Sequence, residues 1–370
     1  MSSAVLIQPD TAFIRDVIAS GGGDLKKCYQ CATCSVVCEM SSDEAPFPRK
    51  QMIEAQWGLK EQLLGDPALW LCHNCGTCTT QCPRGARPGD VLGALRNKAI
   101  QQFAFPGFLG RLVANPNAWP VLYLLPMLIF MAIALWAPKG PSTPRMEFAN
   151  VFPIPVLEPL FFAVSGFVFM AFGIGLSRCV RAIRANGATG RIQRRLLPAI
   201  WEILTNERLR ACDKENWSLG HLLTMWGFLG LAAVGTATGI GTMIGILRTP
   251  LALLSPLKIL ANASALVILA GGLMLLRERL GHSEKSEKSR STYFDWLFLL
   301  TLSGVALTGI VSEIMRLAQF GLLMYSIYYV HLVLIFALFL YAPYSKFAHL
   351  AYRTVALAAA EPWRPKAVSG

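Results

Sequence analysis

Polar and apolar positions divide the chain near residue 103. Before it, apolar residues recur at short intervals among charges and cysteines. That pattern predicts short helices, for example over 49–64 and 90–101, punctuated by Gly21–Gly23 and by Pro46 and Pro48. A stretch that could lie along a membrane interface follows, and then come six long apolar segments, at 120–137, 156–177, 218–246, 257–277, 293–315 and 322–345. A spanning helix needs about 20 apolar residues, and each segment comes close to that. The first is the shortest and contains Pro126, with Trp119, Tyr123 and Trp136 placed as interface anchors.

Composition agrees with this division. The chain of 370 residues is 54% hydrophobic and only 15% charged, with a mean hydropathy of +0.45. Soluble domains carry about 25% charged residues, so an entirely soluble fold is excluded. The net charge of +12 could suggest nucleic acid, but its placement argues for a membrane and against a nucleic-acid partner. Nine Lys and Arg residues lie in 178–217 and four in 278–292, while the alternate loops hold only Lys139, Arg145, Arg248 and Arg316. The positive-inside rule therefore predicts both basic loops, both termini and the polar head in the cytoplasm, with six spans between. Loop 178–217 suits contact with anionic lipid, or docking of the head or of a partner. The N-terminus lacks the basic region of a secretory signal.

Eight of the ten cysteines fall in two runs with one spacing. These are Cys28-x2-Cys31-x2-Cys34-x3-Cys38 and, 44 residues later, Cys72-x2-Cys75-x2-Cys78-x3-Cys82-Pro83. Three thiolates on one tight loop reach three corners of a cubane, and the fourth points away to the other cluster. The expected sets are Cys28, Cys31, Cys34 and Cys82 for one [4Fe-4S] cluster, and Cys72, Cys75, Cys78 and Cys38 for the second. Zinc favours separated C-x2-C pairs, and a reducing cytoplasm disfavours disulfides. The first run ends Cys38-Glu39, without the proline that follows Cys82. His73 is expected beside a ligand or facing solvent, and Cys179 and Cys212 as plain thiols.

The histidines carry the second signal, because ionisable groups within spans are scarce. His221 lies just inside the third span, and His331 and His349 lie in or just after the sixth. A haem held by two imidazoles needs them at equal depth on different helices, a condition His221 and His349 meet. His331 and His349 are 18 residues apart, five turns, and would share a helix face if the helix ran on past Pro343. His331 is the candidate for a second haem, yet its partner would fall at position 231, which is Leu231. His282 is expected to be solvated. Gly235-x3-Gly239 and Gly241-x3-Gly245 in the third span read as helix packing. Glu313 and Arg316, at the outer end of the fifth span, are candidates for a quinone site or for an ion-paired anchor.

On these motifs, with Pro343-Tyr-Ser-Lys-Phe-Ala-His349, the head resembles the small iron–sulfur C-type subunit of heterodisulfide reductases. The body is similar to the E-type haem b membrane subunit of those enzymes and to the gamma subunit of respiratory nitrate reductase. The fused layout looks like the C-type membrane subunit family of quinone-interacting membrane-bound oxidoreductases (Qmo). The resemblance implies menaquinone or another quinone as cofactor beside haem b and the two clusters. It implies two cytoplasmic FAD and iron–sulfur partner subunits, A- and B-like, and adenylylsulfate reductase beyond them in dissimilatory sulfur metabolism.

The expected fold is mainly α: a two-cluster ferredoxin-like domain over 1–103, an interfacial linker over 104–119, a six-helix transmembrane haem b bundle over 120–352, and a cytoplasmic tail over 353–370. The expected function is that of an electron-transfer subunit, an oxidoreductase only as part of a complex. The other readings are the electron-input subunit of a heterodisulfide reductase-type complex and a membrane-anchored ferredoxin without quinone chemistry. No Cys-Cys pair is present, so heterodisulfide cleavage is not expected of this chain alone.

Overall fold

The computed structural model describes residues 8–138, 145–188, 190–206, 217–281 and 290–359. Cys212, His282 and residues 360–370 lie outside the described residues. Among those described there is no strand.

The head is built from α1 (Thr11–Ala19), α2 (Thr33–Val36), α3 (Arg49–Gln56), α4 (Lys60–Leu64), α5 (Ala68–Leu71), α6 (Thr77–Thr80) and α7 (Pro88–Phe103). Pro88 opens α7, where a missing N–H costs nothing. The Asp90 carboxylate in its first turn meets the Arg87 guanidinium at 2.6 Å. Leu69, Trp70, Val91, Leu92 and Leu95 are buried at the centre of the head. The expected linker holds a further helix, α8 (Gly107–Ala114), whose Val113 is buried with Leu122 and Tyr344.

The body comprises α9 (Trp119–Trp136), α10 (Ile154–Ala185), α11 (Ile192–Thr205), α12 (Trp217–Met243), α13 (Pro256–Leu280), α14 (Tyr293–Leu317) and α15 (Gly321–Leu340). All but α11 are long and apolar enough to cross a membrane, giving the expected six. Helix starts follow local chemistry. The Ser255 hydroxyl accepts from the Lys258 N–H ahead of Pro256, and Thr292 and Asp295 form a reciprocal capping box on α14. Of the GxxxG glycines in the third span, Gly241 packs on Leu247 just beyond its own helix and Gly239 on Phe162, while the closest approach to α13 lies nearer the other end of α12. A Cβ on Gly227 would stand 2.8 Å from the Ser264 carbonyl, and one on Gly271 would stand 2.7 Å from that of Gly220, whereas Gly235 faces open space. Small residues there let α12 and α13 touch backbone to backbone.

Two helix ends differ from the sequence pattern. Helix α10 runs eight residues beyond the expected 177, because Cys179 and Ile183 continue its apolar face into the core of the head. Helix α15 stops at Leu340, short of the expected 345. Pro343 cannot continue a helix, and two 3-10 turns, Ala342–Tyr344 and Lys346–Ala348, follow before α16 (His349–Ala359) begins. His331 and His349 therefore lie on separate helices, and the same-face phase does not hold.

Helix α16 crosses the expected boundary at 352 and packs on the head. Tyr352 stacks on Trp70 with centroids 5.0 Å apart. Arg178 donates to the Ala104 carbonyl at 2.7 Å, Asn186 to that of Gln62 at 2.6 Å, and the Arg290 N–H to Asp90 at 2.9 Å. The described ends of both basic loops thus lie on the side of the head.

Candidate functional site

The cysteine loops are bent by backbone conformation at matching positions. Gln30 and Ala32 in the first run have φ of 61° and 68°, and Asn74 and Gly76 in the second have 58° and 84°. These left-handed residues curl each loop around its thiols. Thr33 lies 3.4 Å from Cys31 Sγ and Thr77 lies 3.5 Å from Cys75 Sγ. Backbone N–H groups of Asn74 and Ala86 donate to Cys72 and Cys82 Sγ, each at 3.4 Å. N–H bonds to sulfur suit a cluster, whose potential they help to set.

Cys28, Cys31, Cys34 and Cys82 line one cavity, rimmed by Arg49 and Arg84. Burial pushes the Cys34 thiol up to about 11, and Cys28, Cys82 and Cys31 add to the shift as neighbouring thiols. Burial likewise pushes Cys38 up to about 12, and the thiols closest to it in effect are Cys72 and Cys75. Cys78 is raised by burial and by Cys72, Cys75 and Cys38. Cys82 thus lines the cavity of the first run, and Cys38 lies within electrostatic reach of Cys72 and Cys75. Four thiols set around a cavity suit a polynuclear cluster better than a single zinc ion.

His73 is buried rather than solvent-facing, and Arg353 Nη2 lies 3.0 Å from its Nδ1. Cys179 is fully buried beneath the head.

His221 on α12 and His349 at the start of α16 are brought together, their ring centroids 6.3 Å apart. A metal bound by two imidazole nitrogens at about 2 Å each sets the centroids about 6 Å apart, so the pair fits a bis-imidazole haem iron. The Nδ1 of each ring has a partner. His349 Nδ1–H donates to the Lys346 carbonyl at 2.5 Å, and His221 Nδ1 lies 3.1 Å from the Asn206 side-chain amide. On His349 the carbonyl fixes Nδ1 as the protonated nitrogen and leaves Nε2 open to a metal, the arrangement usual for metal-bound histidines. On His221 the Asn206 amide nitrogen faces Nδ1, so the same tautomer would need the amide turned to present its Oδ1. Burial, with His221 beside it, brings His349 down to about 3, which keeps it neutral.

Asn206 was not evident as a site residue. It terminates α11 with φ 51°, and the only local signal is asparagine's tolerance of that conformation at a helix end. Lys346 pairs with the Asp295 carboxylate, which also faces Arg279 at 3.6 Å.

His331 is placed differently. Its Nδ1 lies 3.0 Å from the Thr308 hydroxyl, and its ring rests over Gly309, where a Cβ would stand 2.9 Å from ring carbon Cε1. Leu231 packs with Ile268, Leu302 and Ala306. Glu313 is engaged by two cations, Arg316 at 2.9 Å and Lys258 at 3.0 Å.

Comparison with known proteins divides the chain at the same place. Residues 24–86 match the 4Fe-4S dicluster domain family, and residues 114–367 match the citrate utilization protein B family. The C-type subunit of the H(2):CoB-CoM heterodisulfide,ferredoxin reductase of Methanothermobacter thermautotrophicus is 40% identical over 93 residues, 25% of this chain and 50% of that protein. A protein of Archaeoglobus profundus, described as like the C-type subunit of heterodisulfide reductase, is 32% identical over 93 residues, again 25% and 50%. The chain thus spans about half the length of these relatives. Citrate utilization protein B of Escherichia coli is 28% identical over 311 residues, 78% of this chain and 79% of that protein. No solved structure matches.

Proposed function

The chain belongs to the citrate utilization protein B family, and from that premise we propose that it is the membrane electron-transfer subunit of an oxidoreductase complex. In this reading it carries electrons between a quinone in the bilayer and protein partners on the cytoplasmic side. The single observation that carries the reading is the His221–His349 pair, 6.3 Å apart at the end of the bundle that meets the head. Haem b held there would supply one-electron redox chemistry between bilayer and clusters. His221 and His349 would ligate its iron, Asn206 and the Lys346 carbonyl would orient the two rings, and Trp70 and Tyr352 would exclude water from the junction.

In the head, Cys28, Cys31, Cys34 and Cys82 are assigned to one [4Fe-4S] cluster and Cys72, Cys75, Cys78 and Cys38 to the other. The basic loops favour a head in the cytoplasm. The quinone, menaquinone or another, has no residue-level site in this proposal. Glu313 reads as an anchor, because two cations already hold its carboxylate. The full-length relative is named for citrate utilization, which favours a partner in that process. A Qmo-type partnership with A- and B-like FAD and iron–sulfur subunits and adenylylsulfate reductase rests on the sequence motifs alone.

The test is quantitation of iron, acid-labile sulfide and pyridine haemochrome on the purified chain, followed by a quinol-reduced optical spectrum. The reading expects about eight cluster irons and one haem per chain, with a low-spin haem b spectrum. Full cluster content with no haem would overturn it in favour of a membrane-anchored ferredoxin.

A further inference from the structure

The two halves of the head repeat more than their cysteines. A shift of 44 residues carries Leu25 and Cys28 onto Leu69 and Cys72. In each half one side chain closes the turn before the first cysteine by donating to both of those carbonyls. In the first half it is Gln56, whose Nε2 lies 3.2 Å from the Leu25 oxygen and 3.1 Å from the Cys28 oxygen. In the second it is Arg96, whose Nη1 lies 3.2 Å from the Leu69 oxygen and 3.3 Å from the Cys72 oxygen. The geometry is matched, but the charge is not.

A second guanidinium is added to the second half from the body. Arg353 lies one helical turn after His349 on α16. Its Nη1 is 3.2 Å from the Trp70 carbonyl and 3.5 Å from that of Cys72, and its Nη2 faces His73. Both arginines are partly buried, whereas Arg49 and Arg84 beside the first set are exposed, where water and salt screen them. Lys346 shares the Asp295 carboxylate with Arg279, and Arg87 is paired with Asp90. A guanidinium keeps its proton in proteins, so the two added charges are permanent.

We propose that Arg96 and Arg353 create an electrical step between the two clusters, holding the one that Cys72 serves at a higher reduction potential than the one that Cys28 serves. Each cluster gains one electron on passing from [4Fe-4S]2+ to [4Fe-4S]+. A fixed positive charge in a partly desolvated setting favours the more negative form. Both arginines are positioning residues, since they reach the cluster through the carbonyl of its ligand. The inference rests on the ligand sets proposed above.

A bland role, that of capping the free carbonyls at the end of α5, predicts a different result. R96Q installs the amide that the first half already uses, so it keeps a hydrogen-bonding cap and removes only the charge. The experiment uses the full chain in detergent, reduced stepwise by dithionite through mediators, with each cluster followed by electron paramagnetic resonance. R96Q and R353Q should each lower the reduced-to-oxidised ratio of one cluster about tenfold at fixed potential, about 59 mV for one electron, with the other cluster unmoved. Q56R should raise the ratio of the other cluster.

Unmoved potentials at full iron content, or equal movement of both signals, would overturn the electrical step. If R96Q loses iron, R353Q and Q56R decide in the same way. The ligand sets are tested separately by C38S. If the cluster shifted by R96Q is the one that C38S leaves intact, the ligand sets fail and the step stands.

Discussion

The rings of His221 and His349 lie 6.3 Å apart, inclined at 64°, on two helices that are far apart in the chain. H221L and H349L should each abolish the low-spin haem b spectrum while leaving iron–sulfur content unchanged, because both helices keep their apolar faces. H331L should leave the haem spectrum in place. Pyridine haemochrome assay on the three purified variants checks this. Loss of haem in H331L with retention in H221L would show that the pairing is wrong.

The Asn206 side-chain amide lies 3.1 Å from His221 Nδ1 and, in the proposed haem site, would orient the ring without ligating the iron. N206A should therefore weaken haem retention about 10–100-fold, the usual effect of removing a ligand's outer hydrogen-bond partner, while the spectrum of the haem that remains stays low-spin. Haem loss to a scavenging apoprotein measures it. Unchanged retention would remove Asn206 from the site.

The crossing of the fourth cysteines predicts a selective lesion. C38S should damage the cluster of Cys72, Cys75 and Cys78 and spare the other, and C82S should do the reverse. Resonance spectra of the two reduced variants should each show one signal. The opposite pairing of variant and signal would overturn the assignment.

The two loops solve the same bend with different residues, and stability should reveal it. Ala32 at φ 68° carries a left-handed strain of roughly 1–2 kcal/mol, of which glycine's greater entropy loss would cancel roughly 0.5–1 kcal/mol. A32G should therefore stabilise the head by about 0.5–1 kcal/mol, and G76A should destabilise it by about 1 kcal/mol. Thermal loss of cluster absorbance should rank A32G above the parent chain and G76A below it.

Glu313 sits between Lys258 and Arg316 at the far end of the bundle. E313Q leaves two cations facing each other and should destabilise the body by about 2 kcal/mol, with quinol reduction of the clusters unchanged in the protein that folds. A well-folded E313Q that no longer accepts electrons from quinol would make this residue part of the quinone site instead.

Much of this was legible in the chain because it is written locally. Cysteine spacing follows from the reach of one tight loop, and each of the six spans is set by its own apolar run. The pairing of His221 with His349 was also legible, since depth in a bilayer can be counted from the helix ends. What could not be read came from contacts between distant residues. Arg353 reaches back to Trp70 and Cys72, and nothing around it signals that. The continuation of α10 to Ala185 depends on a core supplied by the head. Pro343 did announce the break after α15, but the two turns that re-aim the chain toward His221 depend on how Tyr344 and Ser345 pack.

Helix α16 and the far end of α10 bolt the head to the bundle through Tyr352, Arg353, Cys179 and Asn186. A carrier that swings between donor and acceptor slows as its medium thickens, because each transfer waits for diffusion. Here the separation between the imidazole pair and Cys72 is fixed by one turn of helix and a guanidinium. If electrons pass this junction as proposed, they would tunnel over a constant gap, and their rate should be indifferent to glycerol or sucrose.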